Sequence, residues 1–115
     1  MTELLRLNAY EIAARVSARE LSAAEVTAQS LQRLQEVNPA INAVVQPLPE
    51  QALAAARALD RSGKKGPLLG VPFNVKDIIE TSDMPTEYGS PIYKGFRARA
   101  DASCVALSQI GRAHV

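Results

Sequence analysis

The stretch GPLLGVPFNVKDIIE, residues 66–80, limits the possible folds of this chain more than any other feature. It opens a segment, 66–96, that contains four prolines and four glycines, whereas the preceding part is rich in alanine and leucine. Proline and glycine are poorly tolerated inside helices. The sequence therefore predicts helices first and then a different, non-helical kind of structure.

Within this stretch, VPFNVKDII (71–79) alternates between apolar and polar side chains. Phe73 and Val75 would point to one face and Lys76 to the other, which predicts a β-strand. Pro72 limits that strand to a sheet edge or places the proline at its start.

Two capping motifs predict the first helices. Asn8 followed by Glu11 indicates a helix through about Arg19, and Ser22 followed by Glu25 indicates a second one. Apolar residues at helical spacing follow each cap.

Prolines divide the rest of the helical part. Asn38-Pro39 predicts the end of the second helix, and INAVVQ (41–46) reads as a short strand. Pro49 suits the first turn of a third helix over 49–60, and RSGKKG (61–66) reads as a mobile loop.

Asp101 is predicted to cap a last helix, DASCVALSQ, over 101–109. Helices followed by a strand–loop–helix unit predict an α/β fold, of which this chain would hold the opening part.

Composition excludes several function classes. The chain has 115 residues, enough for one domain, and its 13 basic and 12 acidic residues are scattered. The most basic stretch, 94–99, holds three positive charges, so nucleic acid is not an expected partner. There is no apolar run of about 20 residues and no signal peptide, and one cysteine fits a reducing compartment. We expect a soluble cytoplasmic protein without a membrane partner.

Lys76 is the residue whose position calls for an explanation. Spacing alone favours a lysine at a strand end that extends into water, with Asp77 as a solvated neighbour. The functional alternative is a partly desolvated, neutral amine that accepts protons. The spacing leaves both open.

Other candidate sites are weaker. RSGKKGPLLG lacks the ending of a nucleotide-binding loop, and one histidine with one cysteine makes no metal site. Cys104 is expected to be a small core residue. Ser90 in TEYGSP is expected to be a turn serine rather than a nucleophile. Neither a metal nor an organic cofactor is expected.

Four segments, NPAINAVV, GPLLGVPFNVKD, MPTEYGS and ADASCVAL, occur in an order and spacing that resemble the opening of the amidase signature family. The resemblance runs from about Leu21 to Gln109. It implies a large mixed sheet flanked by helices, and hydrolysis of carboxamides by a Ser–cis-Ser–Lys triad. The lysine of GVPFNVKD is the general base in that family, a role that falls here on Lys76.

The resemblance also implies what this chain lacks. Both family serines and the oxyanion hole belong to a downstream glycine- and serine-rich stretch, and no such stretch is present. We therefore expect residues 1–115 to be an N-terminal fragment of a single amidase domain, inactive and poorly stable alone.

The last six residues, 110–115, do not follow the family pattern. Their sequence, IGRAHV, matches one reading frame of a common sequencing-library adaptor. We expect them to be adaptor-encoded, which would make His114 foreign to the protein; a natural truncation is the alternative.

Three functions remain open. The first is part of a stand-alone amidase acting on a small amide. The second is the amidase subunit of the glutamine-dependent tRNA amidotransferase, which needs partner subunits and supplies ammonia to a charged tRNA. The third is a non-catalytic interaction module built on the amphipathic helix pair at 8–37. MPTEYGSPIYKG resembles the stand-alone branch more closely.

Overall fold

The protein is described by a computed structural model, in which residues 3–110 are placed. Four α-helices and two short 3₁₀ helices follow one another along the chain. The α-helices are α1 (Ala9–Ser17), α2 (Ala23–Ile41), α3 (Pro49–Ser62) and α4 (Ser103–Ile110), and the 3₁₀ helices span Glu3–Arg6 and Pro91–Tyr93.

Both predicted capping boxes are confirmed. The Asn8 side chain accepts a hydrogen bond from the Glu11 amide at 2.9 Å, and the Glu11 carboxylate accepts one from the Asn8 amide at 2.8 Å. Ser22 and Glu25 make the same reciprocal pair at the start of α2. Each box gives partners to amides that the first helical turn leaves unpaired. α1 ends two residues before Arg19, which has a φ of +60°.

The predicted end of α2 at Asn38-Pro39 is wrong, because the helix includes Pro39 and ends at Ile41. The Asn38 side chain donates to the Val44 carbonyl at 2.8 Å and accepts from the Val44 amide at 2.9 Å. These two bonds offset part of the cost of a proline within a helix. The chain leaves the helix through Asn42, which is left-handed with a φ of +48°.

Pro49 begins α3 as predicted, and this helix continues to Ser62 before Gly63 ends it in a left-handed conformation. The predicted loop at 61–66 is therefore right only from Gly63 onward. The Asp60 carboxylate accepts hydrogen bonds from the amides of Ala23 and Ala24, which connects the end of α3 with the start of α2.

The apolar core lies among the helices and the turn that follows α3. Val16, Val26 and Leu69 are buried together, with Leu59 among the half-buried residues packed against them. Gly70 lies against this cluster, so that an added Cβ would stand 3.0 Å from a Val16 methyl carbon.

The two predicted strands, 41–46 and 71–79, are not formed. Among residues 3–110 there is no β-strand, and only Pro72 has an isolated bridge. The strand–loop–helix unit expected for an α/β fold is therefore not seen, and the regular elements of the described part of the chain are helices. A strand needs a neighbouring strand to pair its backbone groups, and neither segment has one among residues 3–110.

Two predictions about the last helix are wrong. The Asp101 carboxylate, expected to cap α4, accepts hydrogen bonds from the amide and the hydroxyl of Ser82 instead. Cys104, expected in the core, is exposed, because the described residues place nothing over this face of α4. The adaptor hypothesis for 110–115 concerns residues that, beyond Ile110, lie outside the described part.

No helix within residues 3–110 is long and apolar enough to cross a lipid bilayer.

Candidate active site

Lys76 lies where an extended segment ends in a tight turn. The Lys76 carbonyl accepts a hydrogen bond from the Ile79 amide at 2.9 Å, so the chain reverses direction directly after the lysine. Phe73 and Val75 are half-buried, whereas Lys76 is exposed. The predicted alternation of faces is thus present without the predicted strand.

The segment that carries Lys76 borders a groove of about 460 Å³. Leu31 and Leu34 of α2, residues 43–48, residues 72–77 and residues 84–86 contribute to its walls. The groove lies between the helical layer and the proline- and glycine-rich half of the chain, and most of the side chains named here are apolar.

The Lys76 side chain makes no hydrogen bond or ion pair with residues 3–110. The ion pair in this part of the chain joins Arg33 to Glu36, on the exposed surface of α2. The same residues contain no group of three or more histidine, cysteine, aspartate or glutamate side chains placed to hold a metal ion.

Asp77 is not the solvated neighbour that spacing favoured. It is half-buried, and its carboxylate accepts a hydrogen bond from the Glu87 amide at 2.9 Å. Its carbonyl accepts another from the Tyr88 amide at 3.0 Å. Two consecutive amides of a distant turn are therefore held by the residue next to the lysine.

The turn that Asp77 holds has further contacts of its own. The Thr86 amide donates to the Phe96 carbonyl at 2.8 Å, and the Gly95 amide donates to the Glu87 carboxylate at 2.6 Å. These bonds close residues 86–96 into one compact loop.

Tyr88 joins this loop to the segment after Lys76. Its hydroxyl donates a hydrogen bond of 2.7 Å to the Glu80 carboxylate. This bond, with partial burial and the negative charge of Glu80, raises the pKa of Tyr88 above its usual value. Tyr88 also packs against Tyr93, with ring centroids 5.0 Å apart.

Ser90 is confirmed as a turn serine. Its hydroxyl accepts a hydrogen bond from the Ile92 amide at 3.4 Å, at the start of the second 3₁₀ helix. No histidine or carboxylate is bonded to this hydroxyl, so the described residues do not activate it as a nucleophile.

Sequence reasoning missed the roles of Asp77 and Glu80. Their partners are ten and eight residues away, beyond the range of the helix caps that local spacing indicates. The only available signal was a carboxylate directly after the lysine, followed by the turn-forming residues TEYGSP.

Comparison with known proteins gives the family of this sequence. The sequence model of the amidase family matches residues 25–110, which include the whole segment around Lys76. The chain is similar to one subunit of the glutamyl-tRNA(Gln) amidotransferase of Acidothermus cellulolyticus, at 44% identity over 109 residues. It is also similar to AmiD of Mycobacterium bovis, a candidate amidase, at 41% identity over 105 residues. These matches cover 91% and 88% of this chain and 22% of each relative.

Solved structures agree with this relationship. The peptide amidase of Stenotrophomonas maltophilia superposes on the chain with a TM-score of 0.86 at 31% identity, over 96% of this chain and 24% of the amidase. The chain thus spans less than a quarter of the length of the proteins that it matches here.

Proposed function

Because the chain belongs to the amidase family, we propose that it is part of an enzyme that hydrolyses a carboxamide C–N bond, with Lys76 as the general base. The observation that carries this proposal is the family match over residues 25–110, which contains GVPFNVKD and its lysine. The proposal concerns the complete protein.

The proposed chemistry is acyl transfer to a serine. A neutral Lys76 amine takes a proton, through the cis-serine, from the hydroxyl that attacks the amide carbon. The same proton then passes to the departing amine, so that the C–N bond breaks as a C–O bond forms. Water subsequently releases the acyl group as a carboxylic acid, and the chemistry uses neither a metal nor an organic cofactor.

The exposure of Lys76 leaves its amine accessible to other parts of the complete protein. Phe73 and Val75 are half-buried at the groove beside the helices, whereas Lys76 lies exposed at its border. Residues from elsewhere in the complete protein can therefore reach the amine and remove water from it. Desolvation of this kind disfavours the charged ammonium and favours the neutral base.

The chain by itself is proposed to be inactive. The two serines and the oxyanion hole that the family resemblance implies are not part of this sequence. An oxyanion hole contributes a large share of transition-state stabilisation in acyl transfer, so a lysine alone is not enough.

A second candidate is the amidase subunit of a tRNA amidotransferase. The 44% identity to a protein of this kind, beside 41% to AmiD, favours this reading as much as the stand-alone one. Both candidates share cleavage of a carboxamide, and they differ in whether partner subunits and glutamine are needed. A non-catalytic interaction module is not proposed, because the match to the amidase family covers most of α2, one of the two helices on which that module would be built.

The test is an assay of the complete protein encoded around this chain. Purified alone, it is expected to release ammonia from small primary carboxamides, and the 115-residue chain is expected to release none. Activity on glutamine only with added partner subunits would select the amidotransferase reading. Absence of amide cleavage under both conditions would reject the proposed function.

A further inference from the structure

Asp77 connects two parts of the candidate site that are distant in sequence. Its carboxylate and its carbonyl each accept a hydrogen bond from the backbone, from the amides of Glu87 and Tyr88, at 2.9 and 3.0 Å. Two bonds from one residue to consecutive amides fix both the position and the orientation of the turn.

The neighbouring lysine is directed elsewhere. Lys76, at the end of the extended segment, is exposed, whereas Asp77, the first residue of the turn that follows, is half-buried. No ion pair joins Asp77 to Lys76 or to any other described residue, and the carboxylate is bonded to a backbone amide. Asp77 is therefore placed to hold main chain and not to exchange a proton with the lysine.

The turn held by Asp77 is also a wall of the groove. Met84, Pro85 and Thr86, which come just before Glu87, line the same groove as Lys76. The hydrogen bonds that Asp77 accepts from the Glu87 and Tyr88 amides therefore set the distance between this wall and the main chain of the lysine.

We propose that Asp77 is a positioning residue, which holds the main chain of Lys76 in register with the turn at 84–88. The inference rests on the proposed function, because it assigns Lys76 the role of base. A base that shifts by about 1 Å can lose about 100-fold in rate, so a rigid connection at this point matters for turnover.

The loop keeps other supports when Asp77 is removed. The bonds from Thr86 to Phe96, from Gly95 to Glu87 and from Tyr88 to Glu80 do not involve the aspartate. An Asp77→Ala variant is therefore expected to fold, with the link to Lys76 loosened.

The test compares three variants of the complete protein. Asp77→Ala removes the carboxylate that accepts from the Glu87 amide and keeps the carbonyl that accepts from Tyr88, and Asp77→Asn keeps a side-chain oxygen in the same place without the charge. Asp83→Ala is the matched control, since Asp83 is an exposed aspartate near the same turn, with no hydrogen bond from its side chain to the described residues. We expect kcat to fall about 100-fold in Asp77→Ala with KM little changed, to recover largely in Asp77→Asn, and to stay unchanged in Asp83→Ala.

A second measurement separates positioning from general support. In a Lys76→Ala background, adding Asp77→Ala is expected to leave the residual rate unchanged, because the aspartate acts through the lysine. A further drop of the same size would overturn the proposal.

Hydrogen exchange tests the connection without any turnover. The Glu87 amide, which bonds to the Asp77 carboxylate, is expected to exchange faster in Asp77→Ala than in Asp77→Asn or wild type. Equal exchange in all three would overturn the proposal even if the enzyme is active. A wild-type protein with no amidase activity would reject the proposed function. Hydrogen exchange at the Glu87 amide would then be the measurement that decides whether Asp77 holds the turn.

Discussion

At the scale of single residues, Gly70 shows how tightly the two halves of the chain meet. It follows directly on Leu69 of the core and has a φ of +73°, in the region that disfavours side chains. A Cβ at this position would also lie 3.0 Å from one Val16 methyl carbon and 3.1 Å from the Ala23 Cβ. Both the backbone and the space therefore require glycine.

Gly70→Ala is predicted to destabilise the complete protein by about 2–5 kcal/mol, the sum of backbone strain and overpacking. Gly63→Ala is the matched control, because Gly63 has a similar φ of +64° but open space around it. That variant should lose only the strain, about 1–2 kcal/mol. Chemical unfolding measures both, and equal losses would contradict the packing described for Gly70.

Other single residues show the limit of local reasoning. The turn role of Ser90 could be predicted because a turn serine bonds to a neighbour two residues away. The surroundings of Asp77 and Cys104 could not, because they depend on residues far along the chain. Burial and long-range partners are properties of the folded chain that spacing does not contain.

At the scale of elements, the starts of helices could be predicted and the strands could not. A capping box such as that of Asn8 and Glu11 satisfies its own amides within one turn, so its sequence suffices. The segment 71–79 keeps its alternation of faces but has no partner strand within the described part of the chain, so its pattern alone did not form a sheet.

The start of α2 also depends on another helix. The half-buried Asp60, near the end of α3, accepts hydrogen bonds from the amides of Ala23 and Ala24 at 2.8 and 3.0 Å. Ser22 and Glu25 satisfy other groups at the same helix start, so the aspartate adds to the local cap and does not duplicate it.

Asp60→Ala is predicted to lower the free energy of unfolding of the complete protein by about 1–2 kcal/mol, since two amides and the positive end of α2 lose a carboxylate. Glu36→Ala removes an exposed ion pair with Arg33 and serves as the control, with an expected loss of about 0.5 kcal/mol or less. Thermal or urea unfolding gives both values. An Asp60 variant as stable as the control would show that the link between α2 and α3 is unimportant.

At the scale of the whole molecule, the chain exposes more surface to solvent than a complete domain of the same mass. Its accessible area is 7637 Å², against about 6,100 Å² expected for a folded protein of this mass. Its radius of gyration is 14.6 Å, against about 13 Å expected for this length. Large apolar side chains remain exposed, among them Val45, Ile78 and Ile92.

This open surface fits a chain that spans less than a quarter of its relatives' length. Hydrophobic stabilisation scales with the apolar area removed from water, so a chain with this much uncovered surface has little to offset its conformational entropy. The uncovered face includes the side of the extended segment that carries Lys76. We therefore expect the complete protein, and not this chain alone, to be stable and to be the form that tests the proposed catalysis.

The role of Lys76 is tested most directly by amide turnover of the complete protein with Lys76→Ala, beside Lys65→Ala as an exposed control lysine. We predict that Lys76→Ala lowers kcat by about 100-fold or more at unchanged thermal stability, while Lys65→Ala matches the wild type. Near wild-type turnover in Lys76→Ala would contradict the assignment of this lysine as the base.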